Sequence, residues 1–190
     1  RYPLVTGVQT CALPICFIKD RSFIKSVLER KLADPNNRNR ANAAIRLYQL
    51  GELAGLKTLI EMCRDGSNYL MRASGAYGLG EITSKEQARV IAEKLDDINR
   101  LFSPERLDML ETARLTLEAL LGDPEAIVRT NAARALGRMG NPLAITALVN
   151  KIKTLAPKDD LYQPALDALK ELTSPNVFKQ LERRFVDGIE

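Results

Sequence analysis

No histidine and no tryptophan occur among the 190 residues, and aromatic side chains make up only 5%. Without histidine, this chain offers no Ser-His-Asp or Cys-His arrangement and no histidine-liganded metal site. The three cysteines include no CxxC pair, so neither a zinc site nor a thioredoxin-like motif is encoded. No run approaches the ~20 apolar residues of a membrane-spanning helix. A strong bias of charge is also missing: 28 basic side chains face 24 acidic ones, a net charge of +4 that does not demand nucleic acid. Alternating strand patterns are absent, which argues against an α/β fold. What is present is a chain 45% hydrophobic, long enough for one ordinary domain or one repeat array.

The N-terminal segment stands apart. Val5-Thr6-Gly7-Val8-Gln9-Thr10-Cys11-Ala12-Leu13-Pro14-Ile15 matches one translated reading frame of a common short-read sequencing adapter. Residues 1–15 are therefore expected to be non-native, and the native part, 16–190, to be a fragment of a longer array from a metagenomic source. A signal peptide fits poorly, because Gly7, Gln9 and Pro14 interrupt the stretch and no clean apolar run follows a basic start. Of the cysteines, only Cys63 lies well inside the array, on an apolar helix face. A reducing, cytoplasmic setting is the expectation.

Repeats organise the rest. Segments beginning at Arg40, Arg72 and Arg129 align with Arg first, Ala fifth (Ala44, Ala76, Ala133), Leu eighth (Leu47, Leu79, Leu136) and an apolar residue eleventh. A weaker copy begins at Tyr162 and keeps Leu169 and Leu172 but loses the Arg. The first two Arg residues are 32 apart, and Leu136 to Leu169 is 33, a period that signals a solenoid. Within each copy the apolar residues follow helical spacing. Ala43, Ala44, Gly75, Gly78, Ala132 and Ala133 are small enough for neighbouring helices to approach closely. A second amphipathic helix follows each copy, marked by Leu56 and Ile60, by Ile91 and Leu95, by Leu148 and Ile152, and by Leu181 and Phe185. The unit is helix A, tight turn, helix B.

Asp34-Pro35, Asp65-Gly66 and Asp123-Pro124 precede the three Arg residues at spacings of 6, 7 and 6. Asp is a good N-cap and Pro suits a first helical turn, so each Asp is expected to cap the following A helix. The stretch Val128 to Ile145 carries the clearest likeness to a known family. It resembles the short HEAT-like repeats named after phycobilisome lyases. That resemblance implies an all-α, right-handed α-solenoid of HEAT/armadillo-like hairpins over roughly residues 17–187. It also implies that Asp34, Asp65 and Asp123 line up with Arg40, Arg72 and Arg129 and hydrogen-bond along the stack.

One interval is irregular. Arg72 and Arg129 are 57 apart. Ser103-Pro104 is a natural helix start, and an extra helix is expected near residues 105–121, making a three-helix, armadillo-like unit. A degenerate full repeat is the alternative.

Gly75-Ala76-Tyr77-Gly78-Leu79-Gly80 has the wrong order and context for a phosphate loop. The carboxylates Asp96, Asp97, Glu105, Asp108 and Glu111 sit at helical surface spacing beside Lys94, Arg100, Arg106 and Arg114 and read as solvated helix faces. Function is then expected to be non-catalytic: a HEAT-like scaffold binding a protein partner through a concave face of B helices. No cofactor or metal is expected. The residues opposite the apolar stripe are Lys57, Glu61 and Arg64; Arg89, Glu93 and Lys94; and Asn150, Lys151 and Lys153. An enzyme or enzyme subunit of the phycobilin-lyase-like class is the alternative, against which stand the few aromatics and missing histidine. HEAT-like hydroxylases of the deoxyhypusine type need histidine ligands that this chain lacks. A nucleic-acid-binding role, as in HEAT-like DNA glycosylases, would want a longer basic stripe with stacking aromatics.

Overall fold

The computed structural model describes residues 21–84 and 103–187. Among the described residues there are nine helices and no strand: α1 (Arg21–Lys31), α2 (Asn37–Gln49), α3 (Leu53–Cys63), α4 (Tyr69–Thr83), α5 (Pro104–Leu120), α6 (Ala126–Met139), α7 (Ala144–Ile152), α8 (Tyr162–Leu172) and α9 (Pro175–Asp187). They form two layers. Helices α2, α4, α6 and α8 pack one against the next as an A layer, and α3, α5 and α7 do the same as a B layer. Helix α1 covers α2, and α9 follows on α8. This is the helical stacking of an α-solenoid.

The layers lie close because the side chains between them are small. Ala44, Ala76 and Ala133, the shared fifth position, have no solvent exposure. Gly75 of α4 faces α3 so tightly that a Cβ there would sit 2.8 Å from the Cys63 backbone nitrogen and 2.9 Å from the Leu59 carbonyl oxygen. Gly80 of α4 meets Ala135 of α6, and Gly137 of α6 meets Ala168 of α8, each with 2.9 Å between the would-be Cβ and the neighbour's Cα. Leu47, Leu59, Leu79, Leu117, Leu136 and Leu169 fill the space between the layers and are fully buried. Gly51 (φ 88°) and Gly140 (φ 67°) follow α2 and α6 in the left-handed region, where a Cβ would be strained.

Helix starts differ from the sequence expectation. Asp34, Asp65 and Asp123 do not cap the A helices directly. Asn36 caps α2, accepting from the Arg38 and Asn39 N–H groups, and Asn68 caps α4, accepting from Leu70 and Met71. Each Asp instead accepts the N–H two residues on, at 2.9 Å: Asn36 for Asp34, Ser67 for Asp65 and Glu125 for Asp123. This Asx turn shapes the connection ahead of the helix, where a short carboxylate reaches its own backbone more readily than the helix end. Asp159 repeats the motif toward Leu161, so the fourth copy keeps its Asp turn although it has lost its Arg.

The helix expected around Ile91 and Leu95 lies outside the described residues, as does the whole of residues 1–15. Helix α5 begins at Pro104 behind a Ser103 cap, whose hydroxyl accepts the Arg106 N–H at 3.3 Å. It takes a place in the B layer between α3 and α7 and also packs on α6.

Cys63 closes α3 inside the core, with 2% of its surface exposed. Burial pushes its thiol up to about 12, against the opposing pull of the nearby Arg64 charge. A thiol that is neither accessible nor ionised is not a nucleophile. In a Cys11→Ser/Cys16→Ser background, Ellman's reagent is expected to label Cys63 only as fast as the array opens. Labelling of the folded protein at the rate of a free thiol would show that α3 and α4 do not enclose it.

Candidate functional site: the B-helix face

Helical geometry sets the first row of this face. Lys57, Glu61 and Arg64 follow one another at helical spacing, opposite the buried Leu56, Leu59, Ile60 and Met62 of α3. All three are exposed. Across the layer, α7 presents Asn150 and Lys153 to solvent, with Lys151 half-buried at its last turn. Among the described residues no ion pair holds Lys57, Glu61, Lys151 or Lys153. The two groups do not touch, because α5 runs between them. Arg89, Glu93 and Lys94 lie outside the described residues.

Helix α5 therefore supplies the middle of the face, between the rows expected from helical spacing on α3 and α7. Its core side is Ala113, Leu117 and Leu120. Its outer side carries Leu107 and Leu115, which are 49% and 52% exposed, with Asp108 exposed between them. Arg64 Nη2 donates to Thr116 Oγ1 at 3.4 Å and ties α3 to α5. Leucines at outward positions on a helix otherwise rich in charge were the available signal in the sequence.

The charged residues of α5 are not simply solvated, as the sequence suggested. Arg114 is only 7% exposed and is gripped on both sides by the Glu111 and Glu118 carboxylates. The Glu111 carboxylate, followed by that of Glu118, holds the guanidinium firmly in its charged form, and Arg114 in turn lowers the Glu111 carboxyl below its ordinary value. Arg106 is more deeply placed, at 2% exposure. It lies over the Tyr48 ring, 4.9 Å from the centroid, and donates through Nη2 to the Gly51 carbonyl oxygen at 3.3 Å. Its Nε and Nη1 have no hydrogen-bond partner among the described residues. The cause is the docking of α5: its first turn is pressed onto the turn joining α2 and α3, so this arginine becomes a pin between layers.

Beneath the face, Arg residues stitch the turns. Arg40 Nε donates to the Asp34 carbonyl oxygen at 3.0 Å, Arg72 Nη1 to that of Asp65 at 2.9 Å, and Arg129 Nη1 to that of Asp123 at 2.9 Å. Among the described residues, Arg72 alone of the three also reaches the next turn, with a forked contact of Nε and Nη2 to the Asp123 carboxylate at 2.7 and 3.2 Å.

A hairpin of A and B helices, repeated with an Asp turn and an Arg at fixed spacing, has a counterpart among known families. Residues 128–154, which span most of α6, the turn and α7, match the family model described as PBS lyase HEAT-like repeat. That stretch is a HEAT-like repeat. No curated protein matches the chain. Among solved structures, the crystal structure of an engineered protein from the Northeast Structural Genomics Consortium is similar at 15% identity, over 87% of this chain and 85% of that one, with a TM-score of 0.38. A likeness of that size adds nothing to the assignment of the HEAT-like fold.

Proposed function

We propose that this HEAT-like repeat protein is a non-catalytic scaffold that binds a partner protein through its B-helix face. The observation that carries the reading is the pair Leu107 and Leu115, each about half exposed at the centre of the B layer. Apolar side chains at the middle of a patch with charged residues around them are the usual anatomy of a protein interface. Lys57, Glu61 and Arg64 form one rim, and Asn150, Lys151 and Lys153 the other. Arg89, Glu93 and Lys94 extend the proposal from their sequence positions. Mixed charge on the rims favours steering and selectivity over bulk affinity. The lack of histidine in the chain and the buried, un-ionised Cys63 support a role without catalysis. The reading includes a cytoplasmic setting, which rests on the absence of paired cysteine motifs.

The test is affinity capture with the wild-type chain, Leu115→Glu and Lys151→Glu/Lys153→Glu, followed by mass spectrometry. Partners held by the wild type are expected to fall about tenfold with Leu115→Glu, equivalent to ~1.4 kcal/mol. The charge reversal is expected to weaken them less, and all three chains should melt alike. Equal recovery of the same partners by all three would refute the B-face assignment.

A further inference from the structure

We propose that the opposite face, formed by the A helices, is a second docking groove that takes an acidic, leucine-bearing segment of another protein. The groove has a volume of about 510 Å³ and crosses three consecutive repeats, from α2 through α4 to α6. Its apolar lining is Leu70, Tyr77 and Ile127, which are 46%, 50% and 49% exposed. Leu70 and Tyr77 stand two turns apart on α4 and Ile127 opens α6, so the apolar strip lies along α4 and reaches its neighbour in the layer.

The floor of the groove is held in place. Asn131 Nδ2 donates to the Ala73 carbonyl oxygen at 3.0 Å, and Asn37 Nδ2 donates to Ser74 Oγ at 2.6 Å. Each bond joins one A helix to the next, so the groove does not have to be organised when a ligand arrives. A smaller hollow shares Tyr77 and Asn131 with it and continues the path to Arg134 and Arg138.

Charge decides the kind of occupant. Helices α2 and α6 contain no Asp, Glu or Lys, and their charged residues are all arginine. Helix α4 adds one carboxylate, Glu81, and Arg138 pairs with it. Arg38 lines the groove and Arg134 lines the adjoining hollow; both are exposed, and no ion pair occupies either among the described residues. An extended segment with carboxylates on both sides of apolar side chains matches this order: cations on α2 and α6 and an apolar strip along α4 between. Arginine forks bind carboxylates in two-pronged fashion. A nucleic acid would be served by a longer basic stripe and by more than one aromatic in the path.

The probe is a fluorescein-labelled peptide with glutamates flanking two leucines, followed by fluorescence anisotropy with the full chain. Controls are the same peptide with lysine for glutamate, and labelled oligo-dT. Saturable binding of the glutamate peptide is expected, weakening with salt. Arg38→Glu/Arg134→Glu should reduce it about tenfold or more, a loss of ~1.4 kcal/mol. Tyr77→Ala should also reduce it, while Leu115→Glu on the B face leaves it unchanged. The proposal is overturned by no saturable binding, by equal binding of the lysine peptide, by indifference to the A-face variants, or by tighter binding of oligo-dT. Because the two faces are probed by different variants, failure here leaves the B-face reading standing, and the reverse also holds.

Discussion

Asp123→Ala is expected to cost about 3–5 kcal/mol in denaturant unfolding, the range for removing one member of a buried, hydrogen-bonded ion pair. Asp123 is 8% exposed, and its carboxylate receives both the Arg72 fork and the Glu125 N–H. Its loss leaves a partly buried guanidinium facing a cavity and unravels the Asx turn ahead of α6. The acid limb of stability carries the same signature. Burial would raise the Asp123 carboxyl, but the Arg72 fork and the Glu125 N–H outweigh it and hold the group below its ordinary value of 3.8. A folded-state value below the unfolded one means that the ionised pair stabilises the protein above 3.8 and that this contribution is lost as the pH falls through the folded value. Asp34 and Asp65 are shifted in the same direction, chiefly by hydrogen bonds from Asn36 and from Ser67. The wild type should therefore lose stability more steeply than Asp123→Ala on acidification. Parallel acid limbs would mean that the Asp123 carboxylate is unpaired in solution.

Gly55→Ala is expected to lower stability by about 2 kcal/mol or more, although alanine is the better helix former by ~1 kcal/mol. Gly55 lies in α3 against α2. A methyl group there would overlap the Ala44 carbonyl oxygen and lie 2.7 Å from the Tyr48 nitrogen. Both are backbone atoms, so relief requires the two helices to separate rather than a side chain to turn. Gly66 supplies the contrast. Nothing lies within 4 Å of a Cβ built there, and its backbone is not in the left-handed region. Gly66→Ala should be neutral or stabilise by up to ~1 kcal/mol through the unfolded chain. Equal effects at the two sites would show that α2 and α3 pack less closely than described.

How much of this was legible in the residues depends on what each feature needs. The layers were legible, because burial leaves a period: Ala44, Ala76 and Ala133 recur at one position and are all enclosed. The glycine contacts follow the same grammar. Gly80 and Gly137 occupy the ninth position of their copies, and Ala135 and Ala168, which they meet, occupy the seventh of the next. The first copy has Tyr48 at that ninth position, and there the ring takes the Arg106 guanidinium. That pairing was not legible. It joins residues far apart in sequence, and nothing in the pattern of α5 distinguishes a buried arginine from a solvated one. The same limit applied to the candidate site. Helical spacing identified the outward rows of α3 and α7, but the position of α5 between them depends on which helix fills the B layer after α4. Turn chemistry was half legible: Asp residues before each copy mark the turns, while the choice of Asn36 and Asn68 as the actual caps depends on backbone angles at the helix entry.

Helices α4 and α6 are neighbours in one layer although their leading arginines are 57 residues apart. The Arg72–Asp123 contact is the most direct consequence. A double-mutant cycle with Arg72→Ala, Asp123→Ala and the double variant, read by denaturant unfolding, measures it. Stacked repeats predict that the double variant loses at least ~1 kcal/mol less than the sum of the single losses. Losses that add to within ~0.3 kcal/mol would place the two side chains out of reach of each other and contradict the stacking of α4 on α6.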